Sequence, residues 1–205
     1  MDRAEGILKA LKEAYPGAKT ELRHKNPFEL LVATVLSAQA TDKGVNRVTP
    51  ELFARWPTPK DLEQADPEEV GEVIKSLGLW RTKAKNLVAL AKKLVEEYGG
   101  EVPKDPAELR KLPGVGWKTA TVVAGAAFGV PGVAVDTHVS RVAKRLGLTK
   151  EKAPEKIGKE LEALFPKEDW VFLHHALVLH GRYVCTARNP RCEHCALRRY
   201  CPSAG

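Results

Sequence analysis

Residues 112–119 read Leu-Pro-Gly-Val-Gly-Trp-Lys-Thr. Upstream, Asp105-Pro106 is a helix start, with Asp suited to the N-cap and Pro to the first helical position. That helix is expected to run to about Lys111. Pro113 blocks its continuation, and Gly114 and Gly116 are expected to supply positive φ without steric cost. A second helix is expected from near Trp117, carrying Ala120, Val122, Val123 and Ala126 towards Phe128. Two glycines in such a turn leave successive main-chain N–H groups uncovered. With the next helix's N-terminus they form a nest suited to a phosphate. A turn of this kind holds a nucleic-acid backbone without reading bases. A Gly-x-Gly pair taken alone is better explained as a tight helix–helix turn with no ligand. It is the full eight-residue string that favours the phosphate nest.

Lys118 is expected one residue inside the second helix. The positive end of the helix dipole disfavours an ammonium there, which favours a free amine able to act as a nucleophile. The plainer alternative is a surface lysine touching phosphate. Eighteen residues on, Val135-Asp136-Thr137-His138 opens another helix, expected over Thr137–Leu146 with Asp136 as its N-cap. From Lys118 to Phe128 the helix advances roughly 15 Å. The apolar segment Gly129–Val135 can span about 24 Å if extended. The chain can therefore return and bring Asp136 beside Lys118. A lysine and a carboxylate sharing the mouth of a phosphate-binding turn would make a site for chemistry on DNA.

The rest of the chain has helical period throughout. Residues 2–15 carry Ile7, Leu8, Leu11 and Ala14 on one face. Asn26-Pro27 caps Phe28–Ala38, which is apolar nearly all round and so expected to be central and buried. Asp42 can cap a helix reaching about Arg55, and Asp66-Pro67 repeats the Asp-Pro start and leads to Leu77. Thr82–Tyr98 is a long amphipathic helix closed by Gly99-Gly100, and Ala153–Leu164 and Asp169–His180 follow near the end. Gly132–Val135 is too short for a sheet. The expected fold is all-α, with about ten helices and short loops. His174 and His175 sit in an apolar helix and are read as packing residues.

A chain of 205 residues with 43% hydrophobic residues is long enough for one large or two modest domains. The formal net charge of +7 suits a polyanionic partner, although many basic proteins bind no nucleic acid. No apolar run approaches the roughly 20 residues of a membrane span. Met1-Asp2-Arg3-Ala4-Glu5 reads as the start of an amphipathic helix rather than as a signal peptide, and a cytoplasmic protein is expected.

All four cysteines, Cys185, Cys192, Cys195 and Cys201, fall in the last 21 residues with the spacing C-x6-C-x2-C-x5-C. They read as one ligand set, because disulfides are the poorer reading in a cytosolic chain. Structural zinc and a [4Fe-4S] cluster both accept four thiolates, and the spacing leaves both open. His194 could also serve zinc. Around the cysteines stand Arg182, Arg188, Arg191, Arg198 and Arg199 against the single acid Glu193. That basic segment suits phosphate, or merely solvates its surface.

Leu-Pro-Gly-Val-Gly-x-Lys-Thr-Ala followed by Val-Asp-Thr-His resembles the endonuclease III family of helix–hairpin–helix DNA glycosylases. The resemblance extends to Leu36-Ser37-Ala38-Gln39-Ala40-Thr41-Asp42, to His180-Gly181-Arg182-Tyr183 and to the cysteines, and so covers essentially the whole chain. Trp117 stands where the family often has a basic residue, and Thr121 where it often has asparagine. The resemblance implies a helix–hairpin–helix glycosylase fold of two helical blocks flanking a DNA-binding cleft. One block would be 20–132, the other 1–19 with 133–205. It implies a [4Fe-4S] cluster on the four cysteines, presenting a basic loop with Arg188 and Arg191 to DNA. Gly114 and Gly116 would hold the DNA backbone. Gln39 would fill the space left by a flipped base, and Leu79 would wedge into the other strand. Their alternatives are a capping amide and a turn leucine folded onto the core. His138 would meet phosphate or the damaged base, or merely lie in the first helical turn.

The implied activity is base excision of oxidised pyrimidines from duplex DNA by a monomer, with associated abasic-site cleavage. Lys118 would be the nucleophile and Asp136 its carboxylate partner. Two alternatives differ in kind. A monofunctional adenine-mismatch glycosylase of the same superfamily would lack the lysine. A non-catalytic, zinc-stabilised DNA-binding module would need no Lys118–Asp136 pair.

Overall fold

A computed structural model describes residues 2–204. Among these residues every regular element is a helix. They are α1 (Arg3–Ala14), α2 (Pro27–Leu36), α3 (Asp42–Arg55), α4 (Pro59–Glu63), α5 (Pro67–Val73), α6 (Trp80–Tyr98), α7 (Pro106–Leu109), α8 (Trp117–Phe128), α9 (Thr137–Arg145), α10 (Pro154–Leu164) and α11 (Trp170–Tyr183). Short 3-10 turns cover Lys167–Asp169, Cys192–His194 and Arg198–Tyr200. None of the helices is long and apolar enough to cross a membrane.

The chain divides into two compact units. One is Glu21–Phe128. Its centre is α2, on which every residue from Phe28 to Leu36 is buried. An element with no polar face must be surrounded, and α3, α6 and α8 pack against it. The short α4 and α5 lie on α6, which buries Lys83, Ala84, Leu87, Leu90, Ala91 and Leu94. Gly99, at φ 61, ends α6 with its N–H on Leu94.

The other unit is Met1–Thr20 with Gly129–Gly205. Within it, α11 packs on α9 and α1. His174 and His175 of α11 are buried, as packing residues would be. The Nδ1–H of His174 donates to the Ala134 carbonyl at 2.8 Å, in the return segment before α9.

Several helix ends differ from the sequence reading, each for a local reason. Ala14 is exposed, leaving Ile7, Leu8 and Leu11 with Gly6 as the buried face of α1. Thr41, not Asp42, caps α3, its hydroxyl accepting from the Gly44 N–H at 3.0 Å. The rule that finds caps by residue type cannot separate adjacent Thr and Asp. α2 stops at Leu36 rather than Ala38, where the Ser37 hydroxyl donates to the Thr34 carbonyl at 2.6 Å. α5 stops at Val73, although Ile74 and Leu77 beyond it remain core residues. α6 begins at Trp80, two residues early, and α11 continues to Tyr183. α4 was not expected. At five residues it carries too few turns to show a period.

Candidate active site and cysteine cavity

The hairpin forms as its residue types dictate. Asp105 accepts the Ala107 N–H at 2.9 Å, and Pro106 takes the first position of α7. The helix ends after one turn, at Leu109, and Val115 N–H returns to the Leu112 carbonyl at 3.1 Å. Leu112 and Val115 are buried and fix the turn to the core. Gly114 has φ 78, and a Cβ there would stand 3.2 Å from the Asn86 side chain of α6. The expectation of positive φ at Gly116 is corrected, because its φ is not left-handed. Its carbonyl instead accepts the Ala120 N–H at 3.0 Å and so starts α8. A Cβ on Gly116 would meet nothing within 4 Å, so the turn is open on that side. Lys118 is the second residue of α8 and half-buried. Thr121 turns its hydroxyl back to the Trp117 carbonyl at 2.8 Å.

In the same unit, Gln39 and Leu79 both adopt left-handed backbone, at φ 54 and φ 59. Such conformations are uncommon in residues with a side chain. Gln39 is exposed and does not cap α2, a position taken by Ser37. Leu79 is 56% exposed and so is not folded onto the core. A lysine that sequence reading passed over stands beneath them. Lys83 is only 4% exposed, and its Nζ donates to the carbonyls of Leu36 and Ala38 at 2.9 and 2.5 Å. Burial lowers its pKa.

Asp136 lies in the other unit. Its carboxylate caps α9, with Oδ1 accepting the Val139 N–H at 2.8 Å. The residues before it, Val133–Val135, are buried, and the Val133 N–H donates to Glu162 at 3.1 Å. His138 is half-buried in the first turn. Arg141 donates to its Nδ1 at 3.1 Å, to the Gly181 carbonyl at 2.7 Å and to the Cys185 carbonyl at 3.1 Å. Arg141 and Arg145 are thus structural cations that the sequence reading did not single out. The only signal for Arg141 was its place three residues after His138 on one helix, and Arg145 follows one turn later.

The four cysteines, none of them in a disulfide, line one cavity of about 120 Å³ with Val142, Leu146 and His180. Arg145 donates to the Cys185 sulfur at 3.3 Å, and the Leu197 N–H donates to the Cys195 sulfur at 3.4 Å. His180 Nε2 lies 3.3 Å from the Cys195 sulfur, and Tyr15 holds its Nδ1 at 2.6 Å. If Nε2–H faces the sulfur, Nδ1 accepts from the Tyr15 hydroxyl. Burial holds His180 neutral, with a pKa of about 4. Burial, then the negative charge of the Cys195 and Cys185 thiolates, push Tyr15 up to about 12. His194 is exposed and does not line the cavity. Four cysteine sulfurs lining one cavity, with N–H donors on two of them, fit the thiolate ligand set of an iron–sulfur cluster. Arg188 and Arg191 are exposed, and Arg191 edges this cavity.

Comparison with known proteins agrees. Residues 32–167 match the model of the HhH-GPD superfamily base excision DNA repair proteins, and residues 185–201 match the iron–sulfur binding domain of endonuclease III. The chain is 51% identical over 202 residues to endonuclease III of Bacillus subtilis (strain 168), covering 98% of this chain and 92% of that one. It is 46% identical over 195 residues to endonuclease III of Escherichia coli (strain K12), covering 95% and 92%. A solved non-covalent endonuclease III–DNA complex superposes with a TM-score of 0.94 at 46% identity, covering 100% of this chain and 97% of that one. A trapped endonuclease III–DNA covalent intermediate gives 0.93 at 47% identity, covering 100% and 98%. The cofactor is a [4Fe-4S] cluster. The chain belongs to the endonuclease III family, base-excision DNA glycosylases with abasic-site lyase activity.

Proposed function

We propose that the chain removes oxidised pyrimidines from duplex DNA as a monomer, with Lys118 as nucleophile and Asp136 as its carboxylate partner. The observation that carries this reading is the open hairpin that ends in Lys118. Neither packing nor backbone angle requires glycine at 116, where a Cβ would meet no protein atom within 4 Å. What a side chain would take away is the open approach to the turn. A DNA phosphate held on the N–H groups of Gly114 and Gly116 would bring a sugar within reach of Lys118. Arg188 and Arg191 would add phosphate contacts, and His138, fixed by Arg141, would offer a further donor.

The chemistry needs a primary amine. The Lys118 Nζ attacks C1′ of the deoxyribose. The C1′–N bond to the base breaks, and its electron pair leaves with the base, which takes up a proton. Asp136 balances the positive charge that develops on the sugar or takes the proton of the nucleophile. Ring opening gives an imine between C1′ and Nζ. Loss of a C2′ proton then expels the 3′ phosphate, and water hydrolyses the imine to free the lysine. Gln39 fills the space of the flipped nucleotide, and Leu79 enters the opposite strand. We further propose that Cys185, Cys192, Cys195 and Cys201 are the cluster ligands. The cluster, when bound, ties the arginine-bearing tail into a fixed surface. The division of work between the hairpin unit and the unit carrying Asp136 belongs to the same proposal, as does action on the chromosome in the cytoplasm.

The test is a cleavage panel of duplexes bearing thymine glycol, dihydrouracil, uracil or an abasic site. Cutting of the first two and of the abasic site is expected, with uracil left intact. Failure on the oxidised bases with retained abasic-site cutting would overturn the substrate class. Base release without strand cleavage would instead favour a monofunctional glycosylase.

A further inference from the structure

We propose that Lys83 is a positioning residue that fixes the Gln39 and Leu79 loops to one another and so sets both for nucleotide flipping. The inference rests on the roles proposed above for Gln39 and Leu79.

Lys83 faces the interior from the first turn of α6. A buried ammonium is costly unless it is fully hydrogen-bonded. Both partners of its Nζ are main-chain carbonyls, those of Leu36 at 2.9 Å and Ala38 at 2.5 Å. These stand at the end of α2, where the helix dipole is negative, and Gln39 follows directly. The main chain of Lys83 works on the second loop, its N–H donating to the Leu79 carbonyl at 2.9 Å. One residue therefore holds the chain immediately before Gln39 and the residue Leu79 itself. The two loops also abut, since a Cβ on Gly78 would stand 3.2 Å from the Gln39 carbonyl oxygen.

Gln39 and Leu79 are two of three non-glycine residues with positive φ among the described residues, the third being Asn189. Such conformations persist only where the surroundings impose them. The ordinary use of the Lys83 site would be an apolar side chain, with α2 closed by Ser37 alone. A cation there has the further effect of fixing two strained, solvent-facing loops in register. Flipping depends on that register, because a small misplacement of a positioned group is expensive in rate.

The experiment compares single-turnover excision from a thymine glycol duplex with cleavage of a preformed abasic duplex, using the full-length holoenzyme. Lys83→Met, Gln39→Ala and the double variant are measured, with thermal melting and cluster absorbance as controls. Lys83→Met keeps the length and burial of the side chain and loses its donors. It is expected to slow excision about tenfold and abasic cleavage less than about twofold. If Lys83 acts through the two loops, the loss in the double variant should be smaller than the product of the two single losses, with only the Leu79 part of the Lys83 effect remaining. Should Gln39→Ala be selective while Lys83→Met slows both substrates equally or neither, the inference is overturned and the Gln39 reading stands. An unselective Gln39→Ala removes the Gln39 reading and the inference with it. Where Lys83→Met does not fold, Lys83→Arg is judged by the same ratio of the two rates. It keeps the charge but shifts the donors, so an unchanged ratio overturns the inference.

Discussion

Asp136 combines a helix cap with a proposed catalytic charge, and two substitutions separate them. Its Oδ1 accepts the Val139 N–H at 2.8 Å at the start of α9. Asparagine caps a helix about as well as aspartate, so Asp136→Asn keeps that bond and loses the charge. Charge at a helix N-terminus contributes about 0.3–1 kcal/mol. Asp136→Ala also loses the cap, at about 1 kcal/mol more. In a chain of 205 residues each kcal/mol lowers Tm by about 2–4 °C. Calorimetry should therefore find Asp136→Asn about 1–4 °C below wild type and Asp136→Ala about 3–8 °C below. Activity should not follow that order. Both variants lose the carboxylate charge, and both should lose base excision by about 10²–10⁴-fold. The assay is single-turnover release of thymine glycol at saturating enzyme, below both melting temperatures. Excision by Asp136→Asn within about threefold of wild type, with Asp136→Ala impaired, would refute the reasoning. Asp136 would then act by forming α9, not by its charge.

Replacing Gln39 or Leu79 by alanine should slow base excision more than cleavage of a preformed abasic site, with little change in Tm, because both residues are exposed. Equal losses on the two substrates would return them to a folding role. Undamaged duplex should bind with a steep inverse dependence on salt, and Arg188→Ala or Arg191→Ala should each flatten the log–log slope by about one. A slope unmoved by both would leave the tail as solvated surface. Burial, and then His174, hold the pKa of His175 at about 3 against an ordinary 6.5. A depressed histidine favours the neutral form in the folded chain, so its contribution is full above pH 6.5 and is lost as pH falls from there towards 3. His175→Gln should flatten the fall in stability between about pH 7 and pH 5 in denaturant titrations, and an unchanged profile would contradict this.

Much of the hairpin was legible because its determinants are local. Asp105-Pro106, Pro113 and Gly114 each act on their own backbone, and the residue type names the effect. The apolar run of α2 likewise declared its burial. Gly116 was misread because two glycines in one turn look alike, while only Gly114 lies against another element. Thr41 and Asp42 show the same limit at one-residue resolution, since either can cap. Lys83, Arg141 and Arg145 were not legible for a different reason. Their partners are main-chain carbonyls some forty residues away, and a carbonyl carries no residue type to read. In composition these cations look like any of the 33 Lys and Arg residues that give the chain its positive charge. The cysteine spacing showed one ligand set but not its metal. Zinc and an iron–sulfur cluster both take four thiolates, so only the family likeness names it.

The central claim is that Lys118, presented on the second residue of α8, is the covalent nucleophile. It is tested most directly by borohydride trapping on a duplex with one abasic site, comparing wild type with Lys118→Gln. Only a primary amine can form the imine that borohydride reduces. Lys118→Gln is expected to bind the duplex and keep its cluster absorbance, yet to yield no cross-linked species. Trapping by Lys118→Gln with the yield and rate of wild type would mean that another amine attacks the sugar, and would contradict the account.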